Sequence, residues 1–122
     1  MESILTSIKK MLGISKDDEQ FDPDIIMHIN TALMDLNQIG VGPSEGFMIE
    51  DETSEWSELI PNDQLARLDG IISYIYLRVK LLFDPPSSSA VIESMNRQIE
   101  KLEWRINVAA ESISKEEIQN GL

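Results

Sequence analysis

Residues 62–83, Asn-Asp-Gln-Leu-Ala-Arg-Leu-Asp-Gly-Ile-Ile-Ser-Tyr-Ile-Tyr-Leu-Arg-Val-Lys-Leu-Leu-Phe, followed by Asp84-Pro85-Pro86, decide the fold. Leu65, Leu68, Ile72, Ile75, Val79 and Leu82 alternate by steps of three and four, which lines one face of an α-helix for packing against a partner. Tyr74, Leu77 and Leu81 repeat on the far side, leaving water a narrow strip marked by Arg67, Arg78 and Lys80. A helix apolar on two sides belongs at the centre of a domain. Asn62 or Asp63 can cap its start by accepting from free backbone N–H groups, and the double proline ends it because neither ring can donate. At ~1.5 Å per residue the helix spans ~30 Å, the width of a small domain.

A second long helix follows at once. Ser87, Ser88 and Ser89 offer capping hydroxyls. Ile92, Met95, Ile99, Leu102, Ile106, Ala109 and Ile113 then keep the same spacing as the central helix, and so short a connection predicts antiparallel packing, with Ile72, Ile75 and Val79 facing Ile99, Leu102 and Ile106. Trp104 falls opposite this seam, where a lone subunit leaves a large aromatic in water.

Upstream, Ile4, Leu5, Ile8, Met11 and Leu12 form one stripe of a short helix, with Gly13 as its left-handed cap and Ile14 as a hydrophobic clasp. Lys9 and Lys10 are its only cations, which favours packing on the domain over lying on a membrane. Asp22-Pro23 predicts the start of another helix, with Asp22 as N-cap. Its apolar face is Ile25, Ile26, Ile29, Leu33 and Leu36, and Gly40 stops it. His28 lies at the margin of that face, with no carboxylate, nucleophile or second ligand arranged around it.

Residues 41–61 break the pattern. Gly42, Pro43 and Gly46 are turn formers, Phe47-Met48-Ile49 is a short apolar patch, and Glu50-Asp51-Glu52 with Glu55 and Glu58 makes an acidic run around Trp56. The carboxylates lack the framework that wraps calcium. Phe47 and Trp56 most simply fold back over the helices, and the loop as a whole reads as a contact surface.

The expected architecture is therefore all-α: a compact bundle of about four helices with a long central helix, an antiparallel last helix, and a long acidic loop between helices two and three. Residues 1–111 form the domain, and 112–122 form a tail. With Ile113, Ile118 and Leu122 among polar residues, that tail has too few apolar groups to fold alone, so it is expected to order on a partner.

Composition limits function. The chain has 122 residues, 42% of them hydrophobic, which is one domain's worth with a sizeable core. The absence of cysteine removes disulfides, thiol catalysis and thiolate metal sites together. No run approaches the ~20 apolar residues of a membrane span, and residues 1–13 have the wrong layout for a signal peptide. Ten Lys and Arg against twenty-two Asp and Glu leave a net charge of −12, which repels nucleic-acid phosphates at long range. No phosphate loop, activated nucleophile or metal motif is present, so the expectation is a non-enzyme with no cofactor and no metal.

Four segments carry a resemblance. Ile-Lys-Lys-Met-Leu-Gly-Ile at 8–14, Phe-Asp-Pro-Asp-Ile-Ile-Met-His-Ile-Asn at 21–30, Leu-Leu-Phe-Asp-Pro-Pro at 81–86 and Met-Asn-Arg-Gln-Ile-Glu-Lys-Leu-Glu-Trp-Arg-Ile-Asn at 95–107 together resemble the head-tail connector, or adaptor, proteins of tailed phages. The likeness runs from Ile4 to about Glu111. It implies a small helical subunit of the virion neck, assembled in the host cytoplasm into a homo-oligomeric ring, commonly twelvefold, beneath the portal protein. Such a ring extends the DNA channel, passes DNA without reading its sequence, and supports the next neck (stopper) protein. Under that resemblance Trp104, Ile113, Ile118 and Leu122 are expected at the subunit or portal interface. Phe47, Glu50, Asp51, Glu52 and Trp56 are expected to face the channel or the next ring. The residues alone leave a second class open, a small acidic regulatory or inhibitor module acting by protein-protein binding.

Overall fold

Gly13, at φ +80°, ends the first helix, α1 (Ile4–Met11), by taking the left-handed conformation that the Ile14 amide needs to reach back to the Lys9 carbonyl at 2.9 Å. At the other end the Ser3 hydroxyl accepts from the Thr6 amide at 3.2 Å. Four further helices follow: α2 (Asp22–Gln38), α3 (Trp56–Leu59), α4 (Leu68–Phe83) and α5 (Ser89–Gly121). The computed structural model describes residues 2–61 and 67–121, with side chains as far as Glu111. The caps expected at Asn62 or Asp63 and the seam residue Leu65 lie outside the described residues.

The architecture is all-α and α4 is its centre, packed against α1, α2 and α5. Ile4, Leu5 and Ile8 of α1 are fully buried, so this helix packs on the domain, while Met11 of the expected stripe stands exposed. Ile25, Ile29, Ala32, Leu33 and Leu36 supply the α2 face, and Ile71, Tyr74, Ile75 and Val79 that of α4. Burial of Ile71 was not part of the expected seam, whereas Leu82, which was, stands exposed. Periodicity fixes which residues share a face; which part of a face is covered depends on the helices that reach it, and the last turn of α4 before Asp84-Pro85-Pro86 leaves Leu82 in water.

Antiparallel packing of α4 and α5 is observed. Gly70, near the start of α4, lies against Leu102, and a Cβ built there would stand 3.9 Å from its side chain. Met95, Ile99 and Ile106 are buried on the seam, with Leu102 partly so. Ser88 caps α5, its hydroxyl accepting from the Val91 amide at 3.4 Å. Gly40 ends α2 at φ +98° and permits a second close approach, since a Cβ at this position would sit 2.8 Å from that of Ala110.

One local expectation is corrected. Asp22 is not the N-cap of α2: Phe21 precedes the helix and makes no side-chain capping bond. The Asp22 carboxylate instead pairs with Lys9 at 2.8 Å. Lys9 is buried, its ammonium also donating to the carbonyls of Lys16 at 3.2 Å and Asp18 at 2.7 Å. A buried ammonium needs its donors satisfied, and these three acceptors pin the 15–20 connection against α1.

Residues 41–61 form a fixed cover, with a helix the pattern did not reveal. Asn30 exchanges two hydrogen bonds with the Ile49 backbone, at 2.9 and 2.8 Å, and Asn37 donates to the carbonyls of Val41 and Pro43. Ser3 pairs with Glu55 in an isolated bridge, through Ile4 N–H to Ser54 O at 2.9 Å and Trp56 N–H to Glu2 O at 3.2 Å. The one-turn α3 follows because Trp56 and Leu59, three apart, are both drawn into the core while Glu58 caps back to the Glu55 amide at 2.6 Å.

A polar tie crosses the bundle. Arg78 on α4 binds Asp35 of α2 at 2.6 Å and donates to the Tyr74 hydroxyl at 2.6 Å, and that hydroxyl donates to Glu103 of α5 at 3.0 Å. Three helices are thereby fixed at one level. Burial, with the carboxylates of Glu103 and Asp35 nearby, pushes the Tyr74 phenol well above its ordinary range, and the Arg78 charge only partly opposes this.

Candidate docking surfaces

On α5 the seam at Met95, Ile99, Leu102 and Ile106 leaves Arg97, Lys101, Trp104 and Val108 on the opposite side of the helix, since residues three and four apart share a face. All four are exposed, Trp104 to 68%, and Arg105 beside them is exposed as well. The indole therefore stands in solvent, where its sequence position puts it. The α5 backbone continues to Gly121, which at ~1.5 Å per residue makes a rod of ~50 Å, about twice the length of α4. The side chains of Ile113 and Ile118, and Leu122 altogether, lie outside the described residues.

A second surface lies on α2. Met27 and Met34, seven residues apart and opposite the buried stripe, are 57% and 60% exposed, with Asp24 and Thr31 on the same side. Asn30 lies between them in sequence and anchors Ile49, so Met48, 65% exposed, stands at the edge of this surface. Met48 belongs to the apolar patch of the loop expected as a contact surface, whereas Met27 and Met34 carried no expectation. The seven-residue spacing of Met27 and Met34 was available as a signal; Met48 joins them only through the tertiary contact of Asn30.

Glu50, Asp51 and Glu52 are exposed, as a contact surface requires. With Leu5, Pro23 and Ile26 they rim an open groove at the N-terminal end of α2. The Thr53 hydroxyl and amide both donate to the Asp51 carboxylate, the amide at 2.9 Å, and hold its pKa below the ordinary range. Of the two aromatics grouped with this loop, Phe47 packs partly buried against the core. Trp56 is a correction: at 2% exposure it is a core residue, its indole N–H donating to the Ser7 hydroxyl at 3.0 Å, and it cannot touch a neighbouring ring. An amphipathic one-turn helix turns it inward, away from the acids that surround it in sequence.

A further open groove, of 390 Å³, lies between the start of α4 and α5, lined by Arg67, Gly70, Leu102, Arg105, Ile106 and Ala109. Among the described residues no group of three or more His, Cys, Asp or Glu is placed to hold a metal ion, and no helix is long and apolar enough to cross a membrane. His28 is half-buried on α2.

The family model described as phage connector protein matches residues 4–112. Neither a curated protein nor a solved structure matches the chain.

Proposed function

The chain belongs to the phage connector protein family, whose members are structural proteins of the head-tail connection, and from that membership we propose that it forms a closed ring beneath the portal protein. Association with portal and tail components, and a place in the virion neck, come with the family. In the ring reading the subunits extend the DNA channel and present a face to the next neck protein. The match over residues 4–112 is the observation that carries it.

The acidic loop supplies the channel chemistry. Glu50, Asp51 and Glu52 face the lumen or the next ring, where a like-charged wall lets DNA pass because no counterions are released by contact. Their exposure and the net charge of −12 support this. The 112–122 tail is the attachment to the portal, weak for one subunit and firm through repetition around the ring. Trp104 is covered in the assembly, since large aromatics suit the buried centres of interfaces.

Electron microscopy of the chain mixed with its portal protein tests the reading directly: a ring coaxial with the portal is expected, and a chain that remains monomeric beside portals refutes it. Replacing Glu50, Asp51 and Glu52 together with lysine should give assembled rings salt-sensitive DNA binding, and tight DNA binding by the unsubstituted ring at moderate salt would remove the lumen assignment. A chain ending at Glu111 should fold normally yet fail to join portal-bearing heads; joining at undiminished efficiency would move the attachment onto the helices.

A further inference from the structure

The two ends of the bundle are unlike. Lys9 pairs with Asp22, and the Phe21 and Phe83 rings meet edge to face with centroids 5.4 Å apart, which brings together the end of α1, the start of α2 and the end of α4. The start of α5 follows across Pro85 and Pro86. Here Met11, Phe21, Leu82 and Val91, from four different helix ends, are 43%, 37%, 53% and 46% exposed. Single exposed apolar residues are ordinary, but several gathered at one end of a small domain form a patch. At the other end Gly40 meets Ala110, and the α5 backbone runs on to Gly121.

Resting on the ring reading above and deepening it, we propose that the end bearing Met11, Phe21, Leu82 and Val91 is the docking face for the next neck protein, whose matching surface is apolar at its centre and carries Lys or Arg at its rim. The orientation comes from α5. It is one uninterrupted helix of 33 residues, so its ends lie ~50 Å apart. With the 112–122 tail on the portal, the end that begins at Ser89 points away from it.

Charge names the partner's chemistry. Two ion pairs at this end are closed within the subunit, Lys9 with Asp22 at 2.8 Å and Lys80 with Asp84 at 2.7 Å. Of the groups left over, Asp17, Asp18, Glu19 and Asp24 flank Phe21 in sequence, Glu50, Asp51 and Glu52 line one groove with Glu19, and Glu93 follows Val91, against Lys10 and Lys16. Acid prevails. A second copy applied end to end would oppose acids to acids, and nucleic acid is repelled as well. A basic rim is instead drawn in and oriented. Phe21 and Met11 then supply the residue types enriched at the buried centre of an interface.

Leu82→p-benzoylphenylalanine puts a photoreactive group on this face at a side chain already exposed, with Val91 as a second position for the probe. Irradiated virions carrying it are analysed by mass spectrometry. The expected adduct joins the chain to a neck protein other than the portal, through a segment containing Lys or Arg. An adduct with the portal would reverse the orientation, one with a second copy would make the face a subunit contact, one through a segment without Lys or Arg would remove the basic rim, and no adduct would leave the face in water; each overturns the proposal. Glu19→Lys with Asp24→Lys should leave rings on portals normal by electron microscopy, yet lower the yield of infectious particles by ~tenfold or more when heads are completed in an extract that lacks only this chain. An undiminished yield overturns the proposal too. If the unsubstituted chain forms no rings on portals, the ring reading fails; rings that form while these tests fail leave that reading standing and remove this one.

Discussion

Replacing Lys9 with methionine should destabilise the subunit by about 3 kcal/mol. The ammonium has 3% of its side chain exposed and makes contacts at 2.7, 2.8 and 3.2 Å to the Asp18 carbonyl, the Asp22 carboxylate and the Lys16 carbonyl. Methionine keeps most of the stem and its packing, so the loss is electrostatic. Breaking a buried ion pair costs roughly 3–5 kcal/mol because the surviving charge is stranded. The Asp22 side chain retains 20% exposure, so water recovers part of its solvation and the lower end of that range applies. For a chain of this size ~3 kcal/mol corresponds to a fall of ~10 °C in Tm. Urea unfolding followed by far-UV circular dichroism measures the difference. A double-mutant cycle isolates the pair: Asp22→Asn should be costly alone and nearly free, or favourable, once Lys9 is methionine, giving a coupling of at least ~1 kcal/mol. Stability of Lys9→Met within ~0.5 kcal/mol of the unsubstituted chain, or additive behaviour in the cycle, would refute the reasoning and place Lys9 at the surface.

Gly40→Ala combines a residue at φ +98° with a Cβ placed 2.8 Å from that of Ala110, so it should cost more than the ~1 kcal/mol of an ordinary left-handed glycine replacement, measured by the same unfolding assay. Leu102→Ala should cost ~2 kcal/mol, the low end for cavity formation because Leu102 is only partly buried, and an unchanged midpoint would place the seam elsewhere. Trp104→Ala should leave the subunit's stability within ~0.5 kcal/mol, since the indole is 68% exposed, while ring mass measured by light scattering falls. For Tyr74 the folded pKa lies above the unfolded one, so its contribution is complete below about pH 10 and is lost as pH rises through the folded value. Tyr74→Phe should flatten that alkaline decline, and an unaltered pH profile would show that the phenol does not titrate with unfolding.

Spacing alone carried much of this protein. The step of three and four from Leu68 to Val79 marked α4 as central, the serines and the double proline bounded the helices beside it, Gly13 and Gly40 marked two helix ends, and the same step placed Trp104 outside the seam. These are local properties: a helix fixes the relative direction of its own side chains whatever surrounds it. What the chain buries where helices cross is a different matter. Ile71 rather than Leu82, Lys9 as a buried clamp, Trp56 as core within an acidic run, and Met48 beside Met27 and Met34 all depend on contacts between residues remote in sequence. Lys9 meets Asp22 because the 15–20 connection folds back, and Trp56 reaches Ser7 because Glu55 pairs with Ser3. A side chain's environment is set by all the elements that close on it, and no periodicity within one element encodes where the others will lie.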